Sequence, residues 1–169
     1  MKDWIKPDRI VFKIGSLEWL NYFGLPIGFI VLSLIQFYFL LKDLTGSKNE
    51  IYFLGFVLTF LLGLTTYYIQ IRRLRFKTIK LKRDLNDLKS DINSILISNG
   101  WEIDYDNKLC LQATYKGSIF NLDMLTLRFR KSEIQWNVIH HPHSHNSIAA
   151  LFTLNRQGNR ILKKIKARV

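Results

Sequence analysis

The sequence predicts a membrane α-helical hairpin joined to an α+β domain made of a helix, a four- or five-stranded antiparallel meander and a C-terminal helix. Three observations carry this expectation. No charged residue occurs between Glu18 and Lys42 or between Glu50 and Arg72, two stretches of just over 20 residues each. About 20 mostly apolar residues are enough for a helix to cross a hydrocarbon core. Leucine and isoleucine then recur at steps of three and four up to Asn99-Gly100, and from Trp101 the apolar residues move to every second position. The chain divides accordingly into an amphipathic lead (1–18), a two-helix hairpin (19–75, spans about 20–41 and 51–71) and a domain (76–169).

In the lead, Trp4, Ile5, Ile10, Val11, Phe12, Ile14 and Leu17 are interleaved with basic residues. Two readings stay open: a segment lying at headgroup level, or a strand, "RIVFKI", that pairs with the domain. Aromatic residues flank both spans, with Trp19, Tyr22 and Phe23 opposite Phe37, Tyr38 and Phe39, and Tyr52 and Phe53 opposite Tyr67 and Tyr68. Aromatic rings favour the two membrane–water interfaces. The competing reading is a pair of buried helices in a soluble core. Small residues recur at helical spacing: Gly24 and Gly28 in the first span, Gly55, Thr59 and Gly63 in the second. Such spacing lets backbones approach closely in lipid. Gly28 and Gly63 are expected to face each other, and Gln36 to hydrogen-bond across the helices. Neither span holds an ionisable group, which argues against a proton relay or ion-coupled transport.

Charge sets the expected orientation. The chain carries +12, and from Arg72 onward 19 Lys+Arg stand against 8 Asp+Glu, so +11 lies after the second span. The connecting loop sums to zero. The positive-inside rule then puts both termini in the cytoplasm. The lone Cys110 cannot form an intramolecular disulfide, which fits a reducing compartment.

After the second span, Leu74, Thr78, Leu81, Leu85, Leu88, Ile92 and Ile95 form a heptad-spaced stripe. It predicts one continuous helix from Ile51 to Ser98, stopped by Asn99-Gly100. The stripe either packs on the domain's own sheet or makes a parallel coiled coil between subunits. Four strands follow: "WEIDY", "KLCLQATY", "LDMLTLRFR" and "IQWNVI", separated by turn chemistry. Residues 147–154, "SIAALFTL", give a fifth strand or a helix start. "RILKKIKAR" ends the chain as a basic helix with Ile161, Leu162 and Ile165 inward. Gly100-Trp101 before the meander, and Asn155 and Asn159 before the last helix, resemble a loose group of small bacterial two-span membrane proteins with an α+β cytosolic tail. The resemblance spans roughly residues 20–165. It implies a bacterial inner-membrane location and carries over no catalytic residue or cofactor. The element order is also similar to that of pleckstrin-homology-like domains, although the seven strands of those domains are not present in the pattern.

The chemistry expected of the chain is binding. There is no phosphate loop and no nucleophile elbow, so the sequence predicts no catalytic residue. All four histidines fall in "HHPHSH". His141, His143 and His145 could share one side of a loop as weak metal candidates, but no cysteine or carboxylate motif completes a zinc set. The alternatives are a solvated loop and a pH- or lipid-responsive one. Glu102, Asp104 and Asp106 alternate on the outer side of the first strand and read as an exposed face. Arg72, Arg73, Arg75 and Lys77 beside the membrane, with Lys163, Lys164 and Lys166 near the C-terminus, are the expected contacts to anionic lipid, at roughly 1 kcal/mol per residue near the surface. The expected partners are membrane lipids, further copies of the chain and an unidentified protein. Nucleic acid is not expected, because no recognition module is visible. The function expected is a non-catalytic, membrane-anchored interaction or regulatory module. The alternatives are an effector or small channel of oligomerised hairpins and a domain sensing a nucleotide or lipid headgroup.

Overall fold

The computed structural model describes residues 5–42, 46, 48–81, 85–116, 122–142 and 156–168. Helix α1 (Leu17–Lys42) starts where the Ser16 hydroxyl accepts the Trp19 amide at 3.2 Å, satisfying one of the free donors of its first turn. It packs antiparallel on α2 (Asn49–Arg73). Both helices are long and apolar enough to cross a membrane, and their most apolar 18-residue windows are only 11% and 17% buried. That exposure does not fit a pair of soluble core helices. The outer faces show Leu34, Phe39, Leu54 and Leu61 to the surroundings, an exposed apolar surface of the kind that marks a membrane or protein contact. The contact between the helices is partly polar. Thr59 donates to the Gln36 side chain at 3.1 Å and to the Gly55 carbonyl at 2.8 Å, which is the cross-helix bond expected of Gln36. Gly55 lies against Gln36, and a Cβ at Gly63 would stand 2.9 Å from Ile30 Cγ1. Gly28 has open space where its side chain would be, so it does not face Gly63 and takes no part in this packing. Gly24 is half-buried.

The single helix expected from Ile51 to Ser98 is in fact two helices with a strand between them. Helix α2 ends at Arg73, β1 follows (Lys77–Lys80), and a new helix α3 runs over Leu85–Ser98. Continued as a helix, Arg72 would lie over Arg75, and Arg73 and Lys80 would both lie beside Lys77. Like charges at three- and four-residue spacing destabilise a helix. The heptad stripe is therefore divided. Leu74 is buried beside the hairpin, Leu81 and Ile95 flank the domain core, Leu85 opens α3, and Leu88 and Ile92 are fully buried under the sheet together with Leu96. It packs on the chain's own sheet, and no continuous face remains for a coiled coil. Gly100 adopts φ +77° after α3, as a helix stop requires.

Strands β2 (Trp101–Asp106), β3 (Cys110–Lys116), β4 (Leu122–Phe129) and β5 (Glu133–His140) form the expected meander, and β1 completes an antiparallel sheet in the order β1-β5-β4-β3-β2. The fifth strand thus precedes the meander. Residues 147–154, where it was expected, lie outside the described residues. Helix α4 (Arg156–Lys166) closes one face. There Leu111, Leu125, Leu127, Phe129, Ile134 and Trp136 meet Leu88, Ile92 and Leu96 of α3 and Ile161, Leu162 and Ile165 of α4. Burying each such side chain contributes about 1.5–3 kcal/mol, against about 0.2–1 kcal/mol for an exposed pair such as Arg130–Glu133.

The opposite face of the sheet meets the hairpin. Met124 and Ile139 pack with Tyr22 and Phe23 of α1, Leu74 after α2, and Ile10 and Phe12 of the lead. The strand expected at "RIVFKI" does not form, and the lead joins the chain instead by isolated bridges, Ile5 with Ile10 and Arg9 with Arg75. The Ile10 amide donates to the Leu74 carbonyl and the Phe76 amide to the Asp8 carbonyl, both at 3.0 Å. Between these contacts a row of buried polar side chains, Gln112, Thr126 and Asn137, crosses three strands.

Candidate functional site

A cleft forms where α2 gives way to β1. The last turns of α2 supply Tyr68, Ile69, Arg72 and Arg73. Leu74 anchors the chain in the core beside the hairpin, and Arg75 is held by backbone pairing with Arg9. β1 then begins at Lys77, whose partner on β5 is Trp136. The pairing of β1 with β5 stops there, and Asn137 and Val138 continue β5 beyond it into the cleft wall. Asn159 of α4 closes the far side, and the cavity so bounded measures about 620 Å³. A smaller hollow of about 200 Å³ shares Tyr68, Arg72 and Arg75.

Four cations line this cleft, Arg72, Arg73, Arg75 and Lys77, and no acidic residue lines it among the described residues. Trp136 lines it as well. The Lys77 ammonium and that of Lys166, from α4, each lie 5.0 Å from the centroid of that ring, within cation–π range. The Asn137 amide fixes the path of the chain by donating to the carbonyls of Arg73 at 2.8 Å and Arg75 at 2.9 Å. These take up backbone acceptors that the end of a helix leaves free.

Four of the seven residues expected to meet anionic lipid thus line one cavity, Arg72, Arg73, Arg75 and Lys77, and Lys166 lies over the Trp136 ring beside it. Lys163 is exposed elsewhere on α4, and Lys164 donates to Asn99 at the end of α3. Trp136, Asn137, Tyr68 and Asn159 carried no signal as site residues in the sequence. Trp136 reads there as one more inward strand residue, and only the pairing of β1 with β5 brings it to the cations.

The histidine tract divides. His140 ends β5 and is buried, so it is part of the fold rather than of a surface loop. His141 is half-buried, and its amide donates to the Leu122 carbonyl at 2.7 Å. His143 and His145 lie outside the described residues. Among the described residues no three His, Cys, Asp or Glu side chains come together as a metal set. The acids of β2 have structural partners. A register shift between Ile103 and Tyr105 separates them, Asp104 accepting from Thr114 and Asp106 pairing with Lys89 of α3.

Opposite His140 on β4 stands Asp123. It accepts the Gly158 amide at 2.8 Å and so caps α4 from across the sheet. Burial pushes the His140 pKa below its usual 6.5. Burial also raises the Asp123 carboxyl, with the amides of Gly158 and Gln157 opposing the rise. The depressed histidine stabilises the fold above pH 6.5, and that contribution is lost as pH falls through its folded value. The raised carboxyl acts with the opposite sign, its contribution being present below 3.8 and lost above its folded value. Between pH 7.5 and 5.5 the histidine lowers the thermal midpoint, so His140→Gln is expected to make the midpoint fall less than in the unaltered protein. Equal slopes in the two proteins would assign the loss to other groups. Set against family models, curated proteins and solved structures, the chain matches none of them, so no residue role comes from a relative.

Proposed function

We propose that this is a two-pass bacterial inner-membrane protein whose basic α+β domain is a non-catalytic interaction or regulatory module held against the cytoplasmic leaflet. The observation that carries the reading is the shared core of Tyr22, Phe23, Leu74, Met124 and Ile139, in which one sheet face docks on the end of the hairpin. A domain so attached presents its arginines at one fixed height, at the α2 terminus, where headgroups would lie. Anionic lipid is the first partner this implies. The channel reading is weaker, because Gln36 and Thr59 bond to each other between the helices and do not face outward to line a path. Self-association would use the outer faces of α1 and α2, since Leu88 and Ile92 of the heptad stripe are buried within the domain and Leu74 beside the hairpin.

Cysteine labelling tests the topology. Cys110 is fully buried and gives a silent background. A membrane-impermeant maleimide is expected to label Lys48→Cys, in the short connection, on intact cells, and Ser132→Cys, in the β4–β5 turn, only after permeabilisation. The reverse pattern would place the domain outside and end the reading.

A further inference from the structure

We infer that the cleft between the α2 terminus, β1 and β5 is a binding site for a ligand bearing two neighbouring phosphates, either a soluble diphosphate or a lipid headgroup that carries two phosphates. Charges that served only to orient the chain could point anywhere around the helix end. Here Arg72, Arg73, Arg75 and Lys77 line one concavity. Close like charges repel one another, and a cavity walled by them is relieved when an anion enters. Its volume of about 620 Å³ lies in the range of small-molecule sites and exceeds what a single phosphate fills. Arginine suits this chemistry, since its planar fork can give two parallel hydrogen bonds to one phosphate. Lys77, over the Trp136 ring, supplies a point charge that can swing from the ring to the ligand.

The site is made by the fold. Lys77 reaches the cleft because it pairs with Trp136, and Arg73 and Arg75 are set by the Asn137 side chain. Only the lipid source rests on the membrane reading proposed above. A soluble diphosphate would enter the same cleft without it.

The test uses the full-length protein in phosphatidylcholine nanodiscs, with tryptophan fluorescence as the readout. One arm titrates inorganic pyrophosphate. The other compares nanodiscs containing cardiolipin, a lipid with two phosphates, with nanodiscs of equal charge made with phosphatidylglycerol. Saturable one-to-one binding of pyrophosphate, or a response to cardiolipin well above that to phosphatidylglycerol, is the expected result, and the arm that responds identifies the source. Arg75→Gln/Lys77→Gln, both exposed side chains, should weaken it about tenfold or more. Lys163→Gln/Arg168→Gln removes the same charge elsewhere and should leave it within about twofold. Equal losses in the two double variants would mean diffuse attraction to a basic surface and overturn the site while leaving the membrane reading intact. No saturation in either arm would overturn it as well.

Discussion

Gly158→Ala is expected to destabilise the domain by about 3 kcal/mol, the upper end of the range for overpacking. A Cβ at Gly158 would stand 2.2 Å from Val138 Cγ1 and 3.1 Å from both Cβ and Cγ2 of the same valine. A β-branched side chain has little rotamer freedom with which to withdraw, so α4 would have to move. Two sets of contacts resist that movement. The Asp123 carboxylate holds the Gly158 amide at 2.8 Å, and Ile161, Leu162 and Ile165 on the same helix fill the core. Val138→Ala removes the nearest atom and by itself costs about 2 kcal/mol in lost burial and cavity. The double variant should be less destabilised than the sum of the two by about 1–2 kcal/mol, a coupling of the size found for residues in contact. Unfolding of the four proteins in denaturant measures it. Additive effects would mean that helix and strand do not meet at this point.

The sequence displayed the parts of the fold whose signal is periodic. Two uncharged stretches, a switch from helical to alternating spacing at Trp101 and a glycine at position 100 were enough for the hairpin, the meander and the end of α3. What it hid depended on coincidence of spacing. Leu74, Thr78 and Leu81 suit a helical stripe, yet in the structure they lie beside the hairpin, on β1 and at the margin of the domain core. The β-branched pair Thr78-Ile79 and the crowded cations of 72–80 were the local signs of a break, outweighed by an apolar pattern that continued through them. The four cations were legible as a basic cluster, and their arrangement around a cavity was not. That arrangement depends on which strand lies beside β5, a contact between residues some 60 positions apart in the chain. His140 shows the same limit from the other side. Its neighbours make it look like part of a polar loop, while the ladder of β5 against β4 extends far enough to bury it.

Asn137→Asp is expected to cost about 3 kcal/mol or more and to loosen the join between hairpin and domain. Asn137 is 2% exposed, and its side-chain nitrogen donates to both the Arg73 and Arg75 carbonyls. An ionised aspartate can donate to neither. It would bury a negative charge facing two carbonyl oxygens, and a buried group left unpaired costs more than the bond it replaces was worth. Asn137→Ala deletes the donor without adding charge and should cost about 2 kcal/mol. The location of the damage separates these variants from ordinary core defects. Amide exchange should quicken at Ile10 and Phe76, whose bonds tie the lead to residues 74 and 8, and stay slow at Leu111 and Ala113 in β3. Because Asn137 also sets where Arg73 and Arg75 leave the helix, Asn137→Ala should weaken pyrophosphate binding in neutral nanodiscs although every cation of the cleft is retained. Charge alone would leave that affinity unchanged. A loss would show that the backbone of the α2 terminus, held from β5, shapes the site.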